Sequence, residues 1–184
     1  YVHDELTFDA WVPGHENVYR LAKEFRPAGV APILTNAAGP VEGSWFAELP
    51  QVAAATRLWP EDRSIRRGSV EAIESLVWVS PSVFQVFPLP VFDGALEGAL
   101  DAPDSVVLTR ATALKYFGTD RAVGETLEVD RSHLLRVTAV LEDLPVRSHL
   151  DLRILISERT AISPTMTNPA VNNPSIGLGP VLTY

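Results

Sequence analysis

Apolar positions along this chain of 184 residues recur with two periods, and between Asp101 and Asp130 both occur in one stretch, DAPDSVVLTRATALKYFGTDRAVGETLEVD. Ser105, Val106, Val107 and Leu108 form a short apolar run with β-branched members, which predicts a strand. Thr109 stands where a helix N-cap belongs, its hydroxyl free to accept a backbone N–H two or three residues on. Ala111, Leu114 and Phe117 share one face at helical spacing and are expected to be the packing face. Gly118 takes the position of a left-handed C-cap. Gly124 then opens an alternating run, Glu125–Asp130. Strand, short helix, tight turn and strand follow one another without any catalytic signature.

The same patterning places elements on either side. NVYRLAKEF fits a helix through Val18, Leu21, Ala22 and Phe25, and a strand through Tyr19, Leu21 and Phe25; period alone leaves both open. Pro27–Asn36 reads as a loop. Pro40 suits the first turn of a helix over VEGSWFAEL, with Val41, Trp45 and Leu49 as its buried stripe. Gln51–Trp59 alternates as a strand, Pro60–Arg67 as a polar hairpin segment and Val70–Val79 as a second hairpin arm. Ser80 and Pro81 predict the cap and first residue of a short helix, with Val83, Phe84 and Phe87 in the core. Pro88 and Pro90 break it, and Phe92-Asp93-Gly94 reads as a turn. Leu134–Leu141 is a strand antiparallel to Glu125–Asp130, joined through Arg131-Ser132-His133. His149–Ser157 puts Leu150, Leu152, Ile154 and Ile156 on one side. From Ser163 to Pro180 the Pro, Asn and Gly content predicts a mobile loop, and the closing VLTY the start of another strand.

Composition changes the picture mainly by exclusion. The chain is 46% hydrophobic and 21% charged, a globular balance that can bury one large core or two small ones. Its net charge of −8 argues against a nucleic-acid partner, which needs a concentrated basic face. Cysteine is absent, so a thiol nucleophile, a Cys-based zinc site and a disulfide framework are excluded. No run approaches the roughly 20 apolar residues that span a bilayer. A start at Tyr1 reads as that of a piece of a longer protein, whose anchor lies outside it.

Candidate chemistry is sparse. No G-x-S-x-G occurs, and His3, His15, His133 and His149 form neither H-x-x-x-H nor H-E-x-x-H. His133 and His149, flanking successive strands, are the one pair that the topology can bring together. Arg63, Arg66 and Arg67 cluster, but Glu61, Asp62 and Glu71 flank them, which predicts a charge-compensated surface rather than an anion site. Glu142-Asp143 is a carboxylate pair with no pocket to separate two pKa values. No cofactor or metal is expected, and no phosphate-binding loop is present. Trp45 and Trp78 lie on patterned elements and read as core. Trp11 and Trp59, close to prolines in turns, are the candidates for partner contact.

Five stretches in order resemble the MacB-like periplasmic core domain of FtsX-type ABC transporter permeases. They are YVHDELTFDAWVPGHENVYRL, GPVEGSWFAELPQVAAATRL, VWVSPSVFQVFPLPVFDG, VVLTRATALKYFG with VGETLEVD, and RVTAVLEDLPVRSHLDLRILIS. The resemblance covers roughly residues 1 to 157. Its most specific positions here are Thr109, Lys115, Tyr116, Phe117, Gly118 and Gly124. Glu125 departs from it, standing where lysine is common, and the tail after Pro164 is short.

The resemblance implies a two-lobed α+β fold. Residues 1–100 would start a mixed α/β lobe, 101–147 would form an inserted, mostly β lobe, and 148–184 would return to the first, incompletely. It turns NVYRLAKEF into a helical turn leading to a strand, and it puts a membrane helix before Tyr1. It implies a non-enzymatic extracytoplasmic domain that couples cytoplasmic ATP hydrolysis to periplasmic substrate or partner-protein handling. The implied partners are an ABC ATPase reached through the rest of a dimeric permease, the membrane through flanking helices, and a periplasmic adaptor protein. Lys115 and Tyr116 are the motif positions expected to reach beyond the inserted lobe. The alternative is an extracytoplasmic ligand-sensing domain of a membrane receptor. A small secreted hydrolase lacks its motifs.

Overall fold

The computed structural model describes residues 12–20, 22–26, 29, 31, 33–36, 49–145, 151–168 and 182–183. The predicted helix over Val41–Leu49, its Trp45, and Trp11, His3 and His149 lie outside the described residues or, for Leu49, at their edge. A 3₁₀ turn at His15–Asn17 precedes β1 (Ala22–Phe25); the strand is where the resemblance implies it, while the turn lies almost wholly before NVYRLAKEF. β1 pairs antiparallel with β2 (Ile33–Asn36). The loop expected over Pro27–Asn36 is therefore shorter, because its last four residues, ILTN, find a strand partner.

The main sheet contains β3 (Arg57–Arg67), β4 (Val70–Val79), β5 (Val91–Gly94), β6 (Ser105–Thr109), β7 (Thr126–Val129), β8 (His133–Leu141), β9 (Ile154–Ser157) and β10 (Leu182–Thr183). Its order is β10-β3-β4-β9-β6-β8-β5, and β7 pairs with both β3 and β8. The path β3-β4-β9-β6-β8-β7 thus returns to β3 and closes a barrel, which removes the free edges of those strands where they pair. The β4–β9 and β6–β8 ladders are parallel and the others antiparallel.

Period-two alternation splits the side chains of this sheet between two cores. Ile65, Leu76 and Trp78, Val106 and Leu108, Leu127 and Val129, Leu135 and Val137, and Ile154 and Ile156 meet in one cluster. Every strand of the ring contributes to it, so it is the barrel interior. The outward residues Leu58, Val77, Val79, Val107, Leu141 and Leu155 form a second cluster. Val83, Phe87, Leu89, Ala99 and Leu100 cover it. Both faces of the central strands are buried, which explains why β6 and β9 read as continuous apolar runs.

Several expectations shift. Gln51–Thr56 is irregular and Val52 is exposed; the strand starts only at Arg57 and runs through the supposed polar segment to Arg67. Gly68 and Ser69 make the turn to β4 instead. The ladder to β4 holds this polar sequence extended. Ser80 does not cap the next helix: its hydroxyl accepts from Arg57 N–H at 3.2 Å, and α1 (Val83–Val86) starts after Ser82. Val83 and Phe87 are core as expected. Phe92-Asp93-Gly94 is strand rather than turn, because β5 pairs antiparallel with the end of β8. Gly94, at φ +84, has no room for a Cβ, which would sit 2.9 Å from the Thr138 carbonyl oxygen. Beyond Ser163, the expected loop begins with a helical turn, α3 (Pro164–Thr167), whose Met166 N–H the Ser163 hydroxyl accepts. The β7–β8 hairpin and β10 form where the sequence places them.

α2 (Arg110–Phe117) packs against β3, β6 and β8. Thr109 is its N-cap residue, extended at φ −76 and ψ 162, but its hydroxyl pairs with Thr112 Oγ1 at 3.0 Å rather than with a backbone N–H. Asp143 Oδ1 caps instead, accepting from Ala111 N–H at 2.8 Å. The buried face is Thr112, Ala113 and Tyr116, not Ala111 and Leu114; Leu114 is 49% exposed and Phe117 half-buried against the barrel cluster. The phase is set by the strand that feeds the helix, and the Thr109–Thr112 pair satisfies the polar groups this buries. Gly118 is the left-handed C-cap, at φ 70, donating to the Leu114 carbonyl at 3.0 Å.

Candidate functional site

Of the motif residues in the 101–130 stretch, Lys115 and Tyr116 reach a strand of the barrel, and Gly124 lines an open cleft. Glu74, on β4, receives both the Lys115 ammonium and the Tyr116 hydroxyl, the latter at 2.8 Å. Lys115 and Tyr116 thus do reach outside residues 101–147, to a carboxylate of the same chain. Burial, and then the Glu74 carboxylate, push the Tyr116 phenol above its ordinary value. A raised folded-state pKa adds stability that is complete below the ordinary value of about 10 and is lost as pH rises through the higher one. The difference between ultraviolet titrations of wild type and Tyr116→Phe should therefore rise only well above pH ~10. A difference curve centred on the ordinary value would show that the Glu74 contact does not hold the phenol.

A second constellation runs along the seam where β7 meets β3. The ladder there has only two residue pairs, Ile65 with Val129 and Arg66 with Glu128. Ionic contacts extend it. Arg63 lies 2.8 Å from Asp130, Arg67 2.7 Å from Glu125, Arg66 3.7 Å from Glu128 and Arg131 2.7 Å from Glu71. Asp130 N–H also donates to the Ser64 carbonyl at 2.9 Å. Hydrogen bonds from Arg131, and next from Ser64, hold the Glu71 carboxyl down to about 2. The arginine cluster is compensated as expected, but its partners are mostly on the opposite hairpin. Glu125, the departure from the family pattern, is one of them.

A third group surrounds Phe92. The Arg110 guanidinium lies over its ring at 4.1 Å and also pairs with Asp120 at 2.9 Å and Glu142 at 3.2 Å. Glu142 and Asp143 therefore both serve α2, one through Arg110 and one as its cap. Trp59 is half-buried against the barrel cluster opposite Trp78, so part of its surface remains for a partner. Trp78 is core, its indole N–H donating to Glu61 at 2.8 Å. His133 pairs with Asp104 at 2.7 Å. Among the described residues no cluster of three or more His, Asp or Glu side chains can hold a metal ion, and no helix is long and apolar enough to cross a membrane. The acids Glu74 and Asp130 carry no local signal, and Glu71, which flanks the arginine cluster in sequence, pairs instead with Arg131 of the opposite hairpin; only the strand register reveals these partners.

The family model of the MacB-like periplasmic core domain matches residues 7–176. Among solved structures the chain is similar to a domain of a Porphyromonas gingivalis protein assigned as a permease. The TM-score is 0.69 at 20% identity, over 88% of this chain and 68% of that one. It is also similar to the extracellular domain of the noncanonic ABC-type transporter YknZ from Gram-positive bacteria. There the TM-score is 0.51 at 13% identity, over 75% of this chain and 67% of that one. The periplasmic region of MacB from Actinobacillus actinomycetemcomitans aligns at 0.49 and 18% identity, too distant to bear on the fold. The chain spans 56 to 68% of the length of these three domains. No curated protein matches it.

Proposed function

We propose that this chain, which belongs to the MacB-like periplasmic core domain family, is the extracytoplasmic part of an ABC permease that carries motion from a cytoplasmic ATPase to a periplasmic substrate or adaptor protein. Domains of this family are not catalytic, and the work asked of this one is mechanical. The observation that carries the reading is the closed barrel: six strands in a ring, a filled interior, and a helix tied to β4 through Glu74. Close-packed interiors transmit displacement rather than absorb it. Force applied at one end would therefore move the barrel as a unit.

The division into a mixed lobe, built from residues 1–100 and 148–184, and an inserted lobe at 101–147 is part of this proposal. β6, β7 and β8 from the middle segment hydrogen-bond to β3, β5 and β9 on either side. The two lobes would thus share a continuous sheet, a stiff joint. The permease would act as a dimer, with two such domains whose separation depends on nucleotide.

These 184 residues contain no cysteine to compete for a thiol-reactive label. A spin label at Ile73→Cys, a position 71% exposed, is introduced into the full-length permease reconstituted with its ATPase. The distance between the two copies should differ between a non-hydrolysable ATP analogue and ADP. Superimposable distributions would overturn the coupling. A dipolar signal that is missing in both states would overturn the dimer. A shift on adding a small ligand without nucleotide would favour the sensing domain instead.

A further inference from the structure

We infer that the cleft beside β8 is a docking site for an extended acidic segment of a partner protein, with Arg136 as its carboxylate anchor. The cleft has a volume of about 590 Å³ and is open to solvent. Its walls are the Ala102–Ser105 turn, the Val123–Gly124 turn and the outward side of β8. An open trough of this kind suits a segment of chain rather than an enclosed metabolite.

The charge pattern points to an acidic occupant. Arg63, Arg66, Arg67, Arg110, Arg131 and Arg153 each lie against a carboxylate. Arg136 is exposed in the cleft, and among the described residues its guanidinium has neither an ion pair nor a hydrogen bond. In a chain of net charge −8 it is a cation set into a concavity on a negative molecule. A guanidinium there offers a planar fork of donors that matches a carboxylate. The acid of the cleft itself, Asp104, is engaged by His133 Nε2 at 2.7 Å.

Two further features fit a peptide. Leu134 is 60% exposed and Val123 42% exposed, and both line the cleft, leaving an apolar surface beside the cation. Gly124, at φ +91, lines the same wall beside Arg136 in a backbone conformation that disfavours any side chain. The ligand expected is an Asp or Glu flanked by an aliphatic or aromatic residue.

The inference stands on the cleft and goes beyond the coupling proposed above; neither fails with the other. A random-peptide display library is panned on the 184-residue chain. Enriched sequences should pair an acid with an apolar residue. Their affinity should fall about tenfold or more for Arg136→Gln, as for a lost charge-assisted hydrogen bond, and also fall for Leu134→Ser. Arg136→Lys should restore only part of it. Both positions are exposed, and unchanged thermal melts of the variants separate lost binding from lost folding. Three outcomes would overturn the inference: no enrichment, enrichment of basic sequences, or equal binding to Arg136→Gln. Complete displacement by millimolar acetate or phosphate would overturn the peptide and leave a small-anion site.

Discussion

Trp78→Ala should destabilise the domain by about 3–5 kcal/mol, the range for truncating a large buried aromatic side chain. Trp78 is 1% exposed and is among the largest of the fully buried side chains. It lies on β4, which pairs with β3 on one side and β9 on the other, and it points into the barrel interior. That interior is enclosed by strands on all sides, so the cavity left by the indole cannot collapse without breaking ladders. The lost hydrogen bond to Glu61 is a smaller part of the effect, since the acid remains near Arg63. Trp78→Phe should recover most of the loss. Urea unfolding of the three proteins measures this. A Trp78→Ala protein within about 1 kcal/mol of wild type would mean that the barrel is not packed as described.

Glu158→Ala should cost a comparable amount, about 3–5 kcal/mol, because it removes one partner of a buried ion pair. Arg57 and Glu158 are 101 positions apart, and their side chains are 5% and 11% exposed. Arg57 donates to Glu158 Oε2 through Nε at 3.0 Å and through Nη2 at 2.6 Å. Around them is a buried polar layer: Ser80 N–H donates to the Arg57 carbonyl, Glu158 N–H to the Val79 carbonyl, and the Ser157 hydroxyl to the Leu100 carbonyl. The layer joins the start of β3 to the end of β9 across β4. The pair itself need not be stabilising relative to an apolar one, since two charges had to be desolvated. Replacing both, as Arg57→Met with Glu158→Leu, should therefore be far milder than Glu158→Ala alone. If the single and double variants lose equal stability in urea, the layer works through packing and not through charge.

How much of this was legible beforehand depends on the range of the interaction. Ser105–Leu108, Gly118 and the β7–β8 hairpin were readable because strand propensity, a left-handed cap and a short turn are local. The cap of α2 was not. Thr109 occupies the right position, but Asp143, more than thirty residues away, satisfies the helix. Leu114 was expected to pack and is exposed, because a helix of eight residues has too little pattern to set its own phase. Pro60–Arg67 read as a polar, charge-compensated hairpin segment and is strand throughout, its arginines paired mostly with acids of another hairpin.

The sequence by itself determined many short strands, the helix cap at Gly118, the lack of thiol chemistry in these residues, and a family signature from Thr109 to Gly124 whose resemblance implied the α+β class. These follow from composition and from contacts within a few residues. Barrel closure, the Glu74 junction, the ionic seam and the isolation of Arg136 were decided only by tertiary structure. Each depends on which strand lies beside which. That is fixed by burying two apolar faces at once and so couples residues far apart in the chain, whose separation no local pattern records.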